Sequence, residues 1–338
     1  LGVCGFLSST FDRADLMATL TEHATPISPV VAAAGGPAAI GPEPDERGWL
    51  VAVTGSGGSG TSTLAMALAQ TFGSAADGSA VLLADLARNG ELAMLHDARE
   101  VVPGVLELID AHRLGRPSVG ETRAMSFDAV GRGYHLLLGL RRPRDWTAVR
   151  ARAFEATLES LTSAYRWVVA DVDPDIEGAA ETGSPDIEDR NRIARTTLTR
   201  ADLVVVTANA GMKGLHSCTR TIRELVAATV PAERILPAFT RAPRSRRQRA
   251  QIAISLAALL DPSEELDDVA DPVFIGERHD LEAALRDGVR LPHSLARGTH
   301  RRAAERIEQL GARSAPAGVE PLAVVPGSLG SWTAEEAS

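Results

Sequence analysis

The residues best placed to do chemistry lie in one short stretch, Gly55-Ser-Gly57-Gly58-Ser59-Gly60-Thr61-Ser62-Thr63. Glycines at this density let backbone N–H groups turn inward towards an anion, and a helix starting at once behind them adds the positive end of its dipole. Gly55 and Gly60 stand at the spacing of the G-x-x-x-x-G-K-[ST] phosphate loop, with Ser62 at the hydroxyl position that serves magnesium. The lysine position is held by Thr61, so the cradle is present without its point charge. Lysine normally offsets the β- and γ-phosphate charge. Its loss is expected to cost several kcal/mol of phosphate affinity or transition-state stabilisation. Gly55, Gly57, Gly58, Ser59, Gly60, Thr61, Ser62 and Thr63 are the expected nucleotide-binding residues.

Two carboxylates could complete such a site. Asp171 ends the apolar run Trp167-Val-Val-Ala and stands where an acid would hold magnesium through water, beside Ser62. Asp85 ends Val81-Leu-Leu-Ala and stands where an acid would orient an attacking water, which makes it the candidate catalytic residue. Either could instead cap a turn at a strand end.

The elements that must position these groups can be read from apolar periodicity. Leu50–Val53 is a buried strand, and Leu64, Ala65, Leu68 and Ala69 recur at helical spacing behind the glycines. Further strands are expected at 80–86, 134–140, 167–171, 202–207, 234–239 and 273–275. Helices are expected at 91–96, 105–112, 147–164, 190–199, 214–229, 248–260, 280–287 and 299–310. Residues 113–126 and 173–189 read as loops. Apolar strands alternating with helices imply a three-layer α/β P-loop fold, its mostly parallel sheet covered by helices on both faces. Ligands in such sheets sit at the C-terminal strand ends, where the glycine loop, Asp85 and Asp171 all fall.

The chain has 338 residues and a formal net charge of −9, which argues against wholesale coating of nucleic acid. The expected domains are a short N-terminal segment at 1–30, the remnant of an upstream region; a Pro/Gly/Ala-rich linker at 31–48; a P-loop domain at 49–312; and a disordered tail at 313–338. No run has the apolar length of a membrane span, and residues 1–30 lack the basic-then-apolar pattern of a signal peptide. Cys4 and Cys218 form neither a metal-ligand spacing nor a disulfide framework, which suits a reducing cytoplasm. His293 and His300 lack a metal pattern, and Trp49 and Trp167 read as packing residues.

The order of glycine loop, Val-Leu-Leu-Ala-Asp85, Val-Val-Ala-Asp171 and Ala201-Asp-Leu-Val-Val-Val-Thr207 resembles the MinD/ParA family of P-loop ATPases over roughly residues 49–310. That family reads Lys-Gly-Gly-x-Gly-Lys-[Ser/Thr]; here Ser56 and Thr61 replace both lysines. Three stretches look like its actinobacterial CpaE/TadZ-like and septum-site-determining branch. They are Leu136–Trp146, Asp189–Arg195 and Glu277–Gly288. The resemblance implies ATP or ADP with Mg²⁺, ATP-linked homodimerisation, and protein partners rather than small-molecule substrates. It also implies a cytoplasmic protein recruited to a pole, septum or secretion site. Many members read the base with an Asn after the sixth strand, where this chain has Thr240.

The expected function is therefore a nucleotide-binding spatial regulator in cell division, chromosome partitioning or pilus/secretion-site positioning, at most a weak ATPase. The alternative is a non-enzymatic pseudo-ATPase scaffold that binds proteins and no nucleotide. A phosphate loop collapsed by its own side chains, with Thr61 hydrogen-bonded inward, would favour the scaffold. A competent ATPase would need a cation from Lys213, in the glycine-flanked loop Gly211-Met-Lys-Gly214, or from a partner's arginine. A solvated loop residue is the simpler reading of Lys213. The cluster Arg241, Arg244, Arg246, Arg247 and Arg249 could hold DNA through phosphates, but a solvated face is preferred.

Overall fold

The computed structural model describes residues 47–75, 78–98, 102–129, 131–260 and 266–313. The expected N-terminal segment, almost all of the linker and the expected tail beyond residue 313 lie outside them. In chain order the elements are β1 (Trp49–Gly55), α1 (Thr61–Ala75), β2 (Val81–Asp85), α2 (Leu92–Leu95), α3 (Val105–Leu114), α4 (Val119–Ala124), β3 (Phe127–Asp128), β4 (His135–Leu137), α5 (Ala151–Ala164), β5 (Trp167–Asp171), α6 (Ala179–Thr182) and α7 (Pro185–Arg200). Then follow β6 (Leu203–Asn209), α8 (Met212–Ala227), β7 (Ile235–Ala242), α9 (Arg246–Leu260), β8 (Val273–Gly276), α10 (Leu281–Arg286) and α11 (Arg297–Arg313).

The strands form one sheet in the order β3-β4-β2-β5-β1-β6-β7-β8, parallel except for β3 against β4. Alternate residues of each central strand feed opposite cores, as period-two geometry requires. Leu50, Ala52, Leu82, Ala84, Val168, Ala170, Val204 and Val206 pack with apolar residues of α3, α5, α7, α8 and α9. Val51, Val53, Val81, Leu83, Val169, Leu203 and Val205 pack with those of α1 and α11. Because both faces are covered, these strands read as unbroken apolar runs.

The first helix is fixed in place more firmly than its apolar stripe requires. Residues Leu64 to Phe72 are all buried, the mark of a helix covered on every side. Gln70 lies within that run, and its amide exchanges two hydrogen bonds with the Leu291 backbone, at 2.7 and 2.9 Å. Phe72 stacks on Trp167 with ring centroids 4.2 Å apart, so Trp167 is a packing residue as expected. These contacts hold the helix behind the glycine loop at a set height above the sheet.

Three expectations about local structure need correction. The stretch 113–126 is not all loop: α4 forms within it, capped by Ser118, whose hydroxyl accepts the Glu121 N–H while Glu121 returns a bond to the Ser118 N–H. The stretch 173–189 holds α6 and the first turn of α7, which opens on Pro185 at a position where a missing N–H costs nothing. The strand expected over 134–140 is hydrogen-bonded only at His135–Leu137, with the short β3 paired beside it.

Candidate phosphate-binding site

Sheet register lines the candidate residues up along one edge. Asp85 on β2 is level with Asp171 on β5, Val53 on β1 is level with Asp171, Gly55 with Thr207 on β6, and Asn209 with Thr240 on β7. The glycine loop rises between β1 and α1 at the middle of that line.

The loop is an open cradle. Gly58 and Gly60 have φ of 76° and 87°, the left-handed region that glycine enters without strain. Gly57 and Gly58 are exposed, and a Cβ at either would meet nothing within 4 Å. The first helical bond runs from the Leu64 N–H to the Gly60 carbonyl at 2.9 Å, so the N–H groups of Thr61, Ser62 and Thr63 have no helical acceptor. A cleft of about 360 Å³ runs from Gly58, Ser59, Gly60 and Thr63 towards Thr240, Arg241 and the 276–282 segment.

Beneath the cradle three hydroxyls are tied together. Ser59 Oγ lies 3.0 Å from Thr61 Oγ1 and 2.8 Å from Thr207 Oγ1, Thr61 Oγ1 lies 2.8 Å from Thr207 Oγ1, and Thr207 donates to the Thr54 carbonyl at 3.1 Å. Three hydroxyl protons serve four contacts, so at any instant one contact lacks a proton. This knot lies directly under Gly55, where a Cβ would come within 2.2 Å of Thr207 Oγ1. Thr61 is therefore hydrogen-bonded inward, the arrangement expected of a scaffold, yet the glycines above it stay open. Thr207→Val should break three of the four contacts and destabilise the fold by about 1–3 kcal/mol in urea unfolding, since Ser59 and Thr61 lose a buried partner.

The loop is also held from the β7 side. Thr240 Oγ1 lies 2.7 Å from the Ser59 carbonyl and 3.1 Å from Asn209 Oδ1, and Asn209 Nδ2 reaches the Gly58 carbonyl at 3.4 Å. At the expected base-reading position, Thr240 thus turns its hydroxyl to the loop. The strand runs on past Phe239 through an irregular register, with Arg241 at φ 48°, and Arg241 lines the cleft.

The two acids lie on the other side of the loop and are nearly inaccessible, at 2% exposure for Asp85 and 3% for Asp171. Asp85 Oδ2 accepts the Leu92 N–H at 3.1 Å, whereas Oδ1 has no partner. Gly90 and Gly139 close on this carboxylate so tightly that a Cβ at either would fall within 3 Å of it. Burial, reinforced by the negative charge of Asp171, pushes Asp85 up to about 8. Burial also raises Asp171, to about 6, against the lowering effect of a hydrogen bond with Ser62. Of the two, Asp85 is thus the more strongly held in its protonated form.

Among the described residues no group of three or more His, Cys, Asp or Glu could hold a metal alone. The Ser62 hydroxyl and the Asp171 carboxylate, which are in hydrogen-bond contact, fit a magnesium ion that arrives with phosphate oxygens and water, its usual mode of binding. The other candidates separate. Arg249 turns back onto the Pro243 carbonyl and lies over Phe274, Arg241 faces the cleft, and Arg244, Arg246 and Arg247 are exposed. Of the five arginines only Arg249 is thus tied into the fold, and the other four are exposed. Lys213 is not in a loop but in the first turn of α8, and it is exposed. Cys218 is buried, and burial pushes its thiol up to about 12. The partners missed from sequence are Thr207, Asn209, Gly90 and Gly139. Of these, only Thr207, a hydroxyl ending a valine run, carried a signal.

No protein-family model matches the chain, and a search of curated proteins found no match. Solved structures are similar to it over about four fifths of the chain. A ParA family ATPase from Chlorobium tepidum superposes with a TM-score of 0.57 at 13% identity, covering 78% of this chain and 98% of that one. The septum site-determining protein MinD from Pyrococcus horikoshii, complexed with Mg-ADP, gives 0.50 at 15% identity, covering 82% and 100%. The MinC:MinD cell division complex from Aquifex aeolicus gives 0.52 at 18% identity, covering 80% and 98%. The fold is thus the three-layer α/β P-loop fold of the ParA and MinD ATPases.

Proposed function

We propose that the protein binds ATP with magnesium and acts as a nucleotide-responsive spatial regulator, in cell division, chromosome partitioning or pilus/secretion-site positioning, with ATP hydrolysis weak or absent. The observation that carries this reading is the pairing of an open backbone cradle with a neutral hydroxyl, Thr61, where the cation of a competent loop would stand. In this reading the N–H groups of Gly58 to Thr63 bind the phosphates, and the cleft beside Thr240 and Arg241 receives the nucleoside. Ser62 and Asp171 hold magnesium, whose chemistry is to offset phosphate charge. Asp85, mostly protonated at neutral pH, is a poor acceptor for the proton of an attacking water, which favours binding over turnover.

The partners in this reading are proteins and a second copy of the chain, as suits a fold shared with MinD in its complex with MinC. No described helix is long and apolar enough to cross a membrane. Recruitment from the cytoplasm to a pole or septum would then rest on those partners. DNA binding is not favoured, because a solvated face is the simpler reading of these exposed arginines on a chain of net charge −9. A second reading, a scaffold that binds no nucleotide, is favoured by the inward hydrogen bonds of Thr61.

A phosphate-release assay at saturating ATP and magnesium tests the reading. The expected result is a rate at or barely above the protein-free blank in samples where equilibrium dialysis shows ATP retained. Failure to retain ATP, or fast turnover of the kind a competent P-loop ATPase gives, would contradict it.

A further inference from the structure

Lys213 is the only lysine among the 35 lysines and arginines of the chain. Wherever a generic surface cation serves, this sequence uses arginine, including every described lysine-or-arginine ion pair with Asp or Glu. Arginine and lysine differ where geometry is tight: the guanidinium is a broad planar fork, the ammonium a compact point charge on a flexible stem. A single retained lysine therefore asks what lies beside it.

What lies beside it is the phosphate cradle. Asn209, at the end of β6, reaches the Gly58 carbonyl through its side chain and accepts the Gly211 N–H at 2.8 Å through its own carbonyl. The first turn of α8 then sits directly on that strand end, for a Cβ at Gly214 would come within 1.9 Å of the Asn209 carbonyl. The helical turn that carries Lys213 is thus linked to Gly58 through Asn209. Its side chain is exposed and makes no ion pair among the described residues, and its neighbour Met212 is also exposed, at 77%. The charge is not engaged in holding the fold together.

We infer that Lys213 supplies the positive charge missing from the loop, its ammonium meeting the β- and γ-phosphate end of a nucleotide held by Gly58 to Thr63. The inference rests on the nucleotide-binding reading and adds the residue that compensates for Thr61. It concerns phosphate binding and needs no covalent step.

Because there is one lysine, its state can be read directly. An amine-acetylating reagent has one side-chain target in this chain, with the terminal amine as the other site. Peptide mass spectrometry should show ATP with magnesium protecting Lys213, and AMP, which lacks the outer phosphates, not protecting it. In calorimetry, Lys213→Ala should weaken ATP–magnesium binding by about 10- to 100-fold, the worth of one charge-assisted contact, and leave AMP binding unchanged. Lys213→Arg should recover only part of the loss. The melting temperature of Lys213→Ala should match wild type, because the side chain is exposed and makes no ion pair among the described residues. ATP binding that is equally tight in wild type and Lys213→Ala, with acetylation unaffected by ATP, would overturn the inference and leave the nucleotide reading standing. Failure of wild type to bind ATP at all would overturn both.

Discussion

Replacing Asp85 with asparagine is expected to stabilise the protein at alkaline pH by several kcal/mol. The carboxyl sits at about 8 in the folded chain against an ordinary value of 3.8, and each unit of such a difference is about 1.4 kcal/mol. The sign follows from proton linkage. Between those two values the folded state holds a proton that the unfolded state has released, so stability falls as pH rises from about 4 to about 8. The contribution of Asp85 is fully favourable below pH 4 and is lost above pH 8, where a charge must stay buried beside Asp171. Asparagine keeps an oxygen to accept the Leu92 N–H and has no charge to bury. Urea unfolding of the two proteins at pH 3.5 and pH 8.5 should therefore give similar stabilities at the lower pH and a clear advantage for the variant at the higher one. Equal slopes with pH would show that Asp85 is ionised as easily in the folded chain as in water.

The second large effect is expected at Thr61. Thr61→Lys restores a cation to the loop and should tighten ATP–magnesium binding by about 10- to 100-fold, the range of a charge-assisted phosphate contact. The substitution also removes one of the three hydroxyls beneath the cradle, leaving Ser59 and Thr207 bonded to each other. A small loss of stability, about 1 kcal/mol, should accompany the gain in affinity. The two effects have different origins, so chemical unfolding without nucleotide and calorimetry with it separate them. Unchanged affinity in a folded Thr61→Lys protein would mean that the hydroxyl does not stand in the cation's place.

How far the sequence reveals this site depends on the kind of interaction. The glycine loop, the central strands and the two strand-end acids are legible because each is a local pattern: apolar runs for strands covered on both faces, glycines at fixed spacing, an acid where the run stops. The sheet then places Asp85, Asp171 and the loop on one edge, as that pattern demands. The hydroxyl knot was not legible, because Thr207 stands 146 residues from Thr61 and only the pairing of β1 with β6 brings them together. The same holds for Thr240, whose hydroxyl turns to Ser59 from 181 residues away. The stretches read as loops at 113–126 and 173–189 were polar and lacked apolar periodicity. The helices that form there depend on end signals, Ser118 with Glu121 and Pro185, in segments too short for periodicity to show.

The most direct test of the account is isothermal titration calorimetry of the wild-type protein with ATP and magnesium. Saturable binding at one site per chain is expected, in the micromolar to millimolar range open to a cradle without its loop lysine. No heat of binding at millimolar ATP would contradict it and leave the fold as a scaffold for protein contacts.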